Sequence, residues 1–226
     1  IKDLPFDDFK IIKSRLTSEK FQLVSPDLAT CSKCIADIKK VDNKRRFNYA
    51  FTNCTNCGPR FTIIKKLPYD RKNTTMSDFK MCSDCSKEYA DPVNRRFHAQ
   101  PNACKQCGPH LILVNKEGKT IDDKNPIISA AQKILKGKII GIKSLGGFQI
   151  ACDATSDKAV LSLRKKKKRP FKPFAIMMKN TYRIMQYFYL SKAEKKILSS
   201  AKAPIVLLKK KENCESNNNL YKLHEN

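Results

Sequence analysis

No stretch of this chain approaches the length of a membrane span, and no targeting segment stands at its start. Nothing in it reads as a carboxylate pair or a Ser/His/Asp constellation, so a hydrolytic site is not indicated. The twelve phenylalanines and seven tyrosines lack the spacing of a base-stacking platform, which counts against single-strand nucleic-acid binding. Glycine is scarce, at seven, and acids are outnumbered: 21 Asp and Glu against 46 Lys and Arg, for a net +25. Lysine is scattered among abundant Asn and Ile, so part of that excess is background composition. A diffuse basic surface favours anionic partners, whether nucleotide, polyphosphate or nucleic acid, and does not choose among them. At 226 residues and 41% hydrophobic, the chain has room for one large or two modest globular domains. It begins at Ile1 rather than Met, which reads as an excised piece.

Cysteine is what the chain has in a pattern. Eight of its ten cysteines form four C-x-x-C pairs: Cys31/Cys34, Cys54/Cys57, Cys82/Cys85 and Cys104/Cys107. Two such pairs at this separation make a four-cysteine zinc site, each pair turning two sulfurs toward one metal. The expectation is two structural Zn²⁺ ions. A secreted disulfide framework fits poorly, because the cysteines are paired rather than scattered. Iron–sulfur clusters favour tighter runs that are absent, while a rubredoxin-like iron would use the same four thiolates. Redox activity suits one C-x-x-C but not four in tandem. Two bound Zn²⁺ with eight thiolates lower the net charge by about four, to roughly +21. Reduced cysteines without a targeting segment point to the cytoplasm.

The same stretch is an internal repeat: C-x-x-C, then Arg-Arg-Phe at 45–47 and again at 95–97, then C-x-x-C-G-P. One small unit used twice and stacked is expected, with metal supplying the folding energy that so short a unit cannot draw from burial. Gly58 and Gly108, directly after the second pairs, are expected to take left-handed backbone. Between the repeats, Phe61–Ile64 reads as a strand and Pro68-Tyr69-Asp70 as a turn. Asn73, Thr74 and Thr75 read as capping and connecting residues. His98 and His110 read as packing or surface residues rather than ligands.

From Leu111 the pattern becomes core-built, placing a boundary near residue 115. LILVN reads as a strand and KEGKT as a turn; Asn125-Pro126 opens a helix that closes at Lys136-Gly137. KIIGIK reads as a buried strand running into Ser144-Leu145-Gly146-Gly147-Phe148, a turn that lets backbone amides approach a ligand. Thr155-Ser156-Asp157 starts a helix ending in six basic residues, Arg164–Arg169, before Pro170. FAIMM (174–178) and PIVLL (204–208) read as further buried strands, and Ser191-x-x-Glu194 as a capping box. Strand and helix alternate, as in an α/β or α+β domain, and the chain stops as though cut short. Lys167, Arg169 and Lys172 are placed to converge beside Gly146-Gly147, where fixed cations would neutralise a triphosphate and its leaving pyrophosphate. Cys152 reads as a small buried residue and Cys214 carries no argument.

The segments DLATCSKC, FTNCTNCGPRFTII, LPYDRKNTTMSDFKMC and RRFHAQPNAC resemble the double zinc finger of the HypF family of hydrogenase maturation carbamoyltransferases. KGKIIGIKSLGGFQIACDAT and LRKKKKRPFKPFAIM resemble the start of that family's YrdC-like domain. The resemblance implies three parts. Residues 1–25 are the exit of an acylphosphatase-like domain and a linker, 26–115 the tandem fingers, and 116–226 the N-terminal part of a YrdC-like nucleotide-binding domain. It implies a route in which carbamoyl phosphate yields carbamate and ATP, with Mg²⁺, converts it to carbamoyl adenylate. A later transferase domain then carbamoylates the terminal cysteine of HypE, toward the cyanide ligands of [NiFe]-hydrogenase. Lys167 and Arg169 match the family's K-x-R nucleotide motif, with Lys172 and Lys143 nearby. Ser144 stands where the family usually has Gly, and Gln149 where it usually has His. The family's S-x-N motif and transferase domain are not in this sequence, so this chain is expected to bind zinc and not to complete the reaction. Two rivals are a threonylcarbamoyl-adenylate synthase, which the tandem fingers oppose, and an RNA- or DNA-binding zinc module.

Overall fold

A helix start orients the first C-x-x-C of each repeat. In the computed structural model, which describes residues 23–211, Cys31 and Cys82 are the N-caps of helices α1 (Ser32–Lys39) and α2 (Ser83–Ala90). Cys34 and Cys85 then sit one turn in, buried, with both sulfurs of each pair at the positive end of the helix. The second pairs form tight turns, Cys57 N–H donating to Cys54 O and Cys107 N–H to Cys104 O.

The two glycines after these turns do different work. Gly58 has φ +95°, as expected, and exchanges two backbone hydrogen bonds with Leu28. Gly108 is not left-handed; it is glycine because there is no room. A Cβ there would lie 2.1 Å from the Tyr49 hydroxyl and 2.5 Å from the Ala103 Cβ. Gly108→Ala is therefore expected to cost about 1–3 kcal/mol by overpacking, read as a lower thermal midpoint of the zinc-loaded protein.

The repeats clasp each other about a pseudo-twofold. Thr55 N–H donates to Arg95 O in one direction and Lys105 N–H to Arg45 O in the other. Asn48 and His98, which follow the two Arg-Arg-Phe triplets, both adopt positive φ and hydrogen-bond back to Ile38 O and Tyr89 O. The apolar core here is small: Tyr49, Ile63, Met76 and Ala103, flanked by Phe51, Tyr69, Phe79 and Cys107. The Arg71 side chain from the connecting segment ties Gln100 O, Asn102 O and Phe79 O together. Phe61–Ile63 is a 3-10 turn, not the expected strand. Asp27 accepts from the Arg60 and Thr62 amides and the Thr62 hydroxyl, which bends that backbone into a turn. Pro68–Asp70 is a tight turn as expected, closed by Asp70 N–H donating to Pro68 O, and Thr74 caps the next 3-10 turn by accepting from Met76 N–H.

The rest is the α+β part. Strands β1 (Leu113–Val114) and β2 (Thr120–Asp122) pair antiparallel, followed by α3 (Pro126–Leu135). A hairpin of β3 (Ile140–Ser144) and β4 (Gly147–Ala151) comes next, then α4 (Asp157–Lys167), α5 (Thr181–Tyr187) and α6 (Lys192–Leu198). The Ser191/Glu194 capping box is present as expected. Strands β2 and β4 and helices α1, α2 and α5 have no counterpart in the sequence reading.

Three expected buried strands are corrected. β3 is a strand but only half-covered, with Ile142 42% exposed. Residues 174–178 and 204–208 form no strand, and Met177 and Leu207 are 94% and 88% exposed. Apolar content alone does not bury a segment; burial needs a partner. Among the described residues β3 pairs only with β4, so these apolar runs have no sheet to join. The expected acylphosphatase-like exit, except for Leu23–Ser25, and Cys214 lie outside the described residues. Two contacts seat this part on the first finger. Ala29 N–H donates to Ala201 O, and the hairpin tip at Leu145 reaches a cavity of about 250 Å³ beside Asp27, Phe51 and Met76.

Candidate metal centres and nucleotide site

Cys31, Cys34, Cys54 and Cys57 form one cluster, and Cys82, Cys85, Cys104 and Cys107 the other; within each, the sulfurs lie within 4.8 Å of one another. Neighbouring sulfurs are 3.6–3.8 Å apart. The eight cysteines are free thiols, and a disulfide would need about 2.05 Å. Four sulfurs placed about 2.3 Å from a central Zn²⁺ in a tetrahedron stand about 3.8 Å apart. The geometry fits zinc directly. Both sites are closed, with no ligand position left for substrate, so their role is structural.

The electrostatics divide the sulfurs. Burial opposes ionisation of Cys31, but the Cys34 amide and the neighbouring thiols overcome it and bring its thiol down to about 7. Cys104 is likewise brought to about 7 against burial, by the Gln106 and Cys107 amides. Burial drives Cys34 and Cys85 upward, followed at Cys85 by the crowding of neighbouring thiols. Each cluster thus holds one readily ionised sulfur, Cys31 or Cys104, while burial keeps Cys34 and Cys57 in the first and Cys85 in the second from ionising without a cation to compensate.

Part of that cation comes from the opposite finger. Arg95 Nη1 donates to Cys34 Sγ at 2.9 Å and Arg45 Nη2 to Cys85 Sγ at 3.0 Å. Behind them stand carboxylates. Asp37 accepts from Arg95 and Arg96, and Glu88 takes ion pairs from Arg45 at 3.1 Å and Arg46 at 2.5 Å. Asp37 and Glu88 each follow the second cysteine of a first pair by three residues. That equivalence was readable from the repeat, and sequence reasoning missed both acids.

His98 stacks on Tyr89 at 4.8 Å and meets the Phe97 edge at 4.5 Å, a packing residue as expected. His110 is exposed. Cys152 is half-buried, and burial followed by Asp153 raises its pKa, which disfavours a nucleophilic thiolate.

The residues expected to hold nucleotide stand on two segments. Lys143 lies on β3 with its ammonium 5.2 Å from the Phe148 ring; Gly146 stands in the tip and Gly147 opens β4 at φ +143°. Lys167 ends α4, and Lys168 caps it in left-handed backbone. Arg169 donates to Pro173 O and lies over Phe174 at 5.6 Å. Arg164, absent from the expectation, shapes this loop by donating to Arg169 O, Pro170 O and Lys172 O. It lies over the same ring at 4.8 Å. The basic run is therefore partly a folded loop held by its own guanidinium groups, not just a solvated helix face.

Two closed tetrathiolate sites joined to an α+β unit define a tandem zinc-finger protein with a YrdC-like domain. The HypF finger pattern matches residues 30–64 and 81–114, and a pattern described as telomere recombination, that of the Sua5/YciO/YrdC proteins, matches 132–224. Carbamoyltransferase HypF of Rhodobacter capsulatus is 47% identical over 206 residues, 91% of this chain and 27% of its own length. The probable carbamoyltransferase HypF of Methanocaldococcus jannaschii is 43% identical over 213 residues, 93% and 27% respectively. A crystal structure of full-length HypF in its phosphate- and nucleotide-bound form superposes with TM-score 0.77 at 46% identity. It covers 86% of this chain and 25% of that one. T. kodakarensis HypF superposes with TM-score 0.81 at 45% identity and the same coverage. The chain belongs to the HypF family, and it spans about a quarter of the length of these relatives.

Proposed function

We propose that this chain is the finger and nucleotide-gripping portion of an ATP-dependent carbamoyltransferase. The observation that carries the reading is the joint one. Both four-cysteine sites and the YrdC-like segment occur in the order found in relatives named carbamoyltransferase HypF, at 47% identity across 91% of the chain. The domain limits are 26–115 for the fingers and 116–226 for the start of the YrdC-like domain. In this reading the whole enzyme hydrolyses carbamoyl phosphate to carbamate and inorganic phosphate. A carbamate oxygen attacks the α-phosphorus of Mg²⁺-bound ATP, forming carbamoyl adenylate and expelling pyrophosphate. The thiol of the C-terminal cysteine of HypE then attacks the carbamoyl carbon and AMP leaves, in the cytoplasm, for cyanide ligand synthesis.

Within this chain, the Gly146-Gly147 amides and the cations of Lys143, Lys167, Arg169 and Lys172 grip the triphosphate and offset the charge that grows on pyrophosphate. A full-length HypF has been solved in a phosphate- and nucleotide-bound form, which supports nucleotide binding by the whole protein. The fingers hold the adenylating part in place and take no part in the chemistry. No helix among the described residues is long and apolar enough to cross a membrane.

The test is carbamoyl-phosphate-dependent ATP–pyrophosphate exchange by the full-length protein. Lys167→Ala is expected to lower it about 100-fold, the scale of one preorganised charge at a transition state, with zinc content unchanged. Exchange that instead requires threonine and bicarbonate would overturn the reading in favour of a threonylcarbamoyl-adenylate synthase. Salt-steep nucleic-acid affinity without nucleotide turnover would overturn it in favour of a binding module.

A further inference from the structure

We propose that the two metal sites are energetically coupled, each being completed by an arginine that the other finger supplies. Arg95 lies between the cysteine pairs of the second finger, yet its guanidinium reaches Cys34 Sγ of the first at 2.9 Å. Arg45 of the first finger reaches Cys85 Sγ of the second at 3.0 Å. Cys34 and Cys85 are the fully buried sulfurs at the N-terminal turns of α1 and α2, where an unpaired thiolate is most costly. A tetrathiolate site with Zn²⁺ carries a net charge near −2, and an N–H···S bond from a guanidinium offsets it without entering the metal's coordination.

Each arginine is itself held in two ways. Its side chain is fixed by a carboxylate of the opposite finger, Asp37 for Arg95 and Glu88 for Arg45. Its backbone carbonyl is fixed by the opposite second-pair turn, Thr55 N–H to Arg95 O and Lys105 N–H to Arg45 O. Each arginine is carried by the segment between the cysteine pairs of its own finger, Arg45 between Cys34 and Cys54 and Arg95 between Cys85 and Cys104. That segment keeps its shape only while its own finger holds metal, so losing metal from one site loosens the arginine that supports the other. Loading is cooperative across the pair, and the fingers fill and empty together. This holds whatever chemistry the whole enzyme performs.

Full-length protein loaded with ¹¹³Cd shows one resonance per site, assigned with Cys31→Ser and Cys82→Ser. Arg95→Gln is expected to move the resonance of the Cys31/34/54/57 site and leave the other in place. It should also speed zinc release to a chromophoric chelator about 10- to 100-fold, the usual cost of losing a partner of a metal ligand, with both metals leaving in one phase because the fingers empty together. Two independent phases, only one of them faster, would overturn the coupling. Arg45→Gln should move the other resonance and speed the same joint release. Arg95→Lys keeps the positive charge near Asp37 but cannot serve sulfur and carboxylate with one planar fork, so its release rate should fall between wild type and Arg95→Gln. Should either Gln variant fail to fold, the Lys variants carry the same test. The proposal is overturned if each variant perturbs only the site within its own finger, or if neither resonance nor release rate moves.

Discussion

Stripping zinc from the purified protein with a strong chelator is expected to unfold residues 26–115, with near-complete loss of their ordered signal in far-UV circular dichroism. The reason lies in what fills the interior. The largest fully buried side chains are Ile63, Asn102, Thr74 and the four cysteines 34, 57, 85 and 104. An apolar cluster built on Tyr49, Ile63, Met76 and Ala103 is too small to hold two fingers. A structural zinc site contributes about 10–16 kcal/mol in small fingers, whereas a whole domain has net stability of about 5–15 kcal/mol. The metal term exceeds everything else available. Elemental analysis should find two zinc per chain beforehand, and refolding should follow zinc addition under reducing conditions. Metal-free protein that stays fully structured, or thiols oxidised in pairs, would refute the zinc assignment.

The second large effect is expected at Glu88. Its carboxylate sits among three guanidiniums: Arg46 at 2.5 Å, Arg45 at 3.1 Å and Arg96 at 3.8 Å. The Arg46 side chain is only 3% exposed. Glu88→Ala leaves that buried cation with Asn102 Oδ1 as its remaining side-chain oxygen partner. Breaking a buried pair from one side costs about 3–5 kcal/mol. Glu88→Ala combined with Arg46→Met should recover part of the loss, because both ends of the pair are then gone. Equal losses in the single and double variants would show that the pair is not what stabilises the clasp. By contrast, Asp84→Ala should change little, since Asp84 meets Arg45 at 3.6 Å on an exposed edge, where pairs contribute about 0–1 kcal/mol.

The same cluster sets a pH dependence. Burial raises the Glu88 and Asp37 pKa values, but Arg46 at Glu88 and Arg96 at Asp37 outweigh it and hold both carboxyls below their usual values. A depressed folded pKa stabilises the protein above the free-carboxylate range near pH 4. That contribution is lost as pH falls through the lower folded value.

Much of this was legible in the chain. The eight cysteines, their pairing into two sites and the repeat that relates them follow from spacing alone, because tetrahedral thiolate chemistry tolerates few arrangements. The Asn125-Pro126 helix start and the Ser191/Glu194 box were equally readable, since both depend on neighbours within one turn. The direction in which the Arg-Arg-Phe triplets point was not. A guanidinium that crosses to the other finger is a long-range choice, made when Thr55 and Lys105 hydrogen-bond across the pseudo-twofold. Gly108 likewise carries no mark of the Tyr49 hydroxyl that crowds it. The exposed apolar runs at 174–178 and 204–208 show the limit from the other side: a short continuous apolar run announces a buried strand, but only a neighbouring strand makes one. Sequence by itself determined where metal is held, because ligand spacing is local chemistry. Tertiary structure alone decided that the two metals are held jointly, because that depends on which side chains meet across the fold.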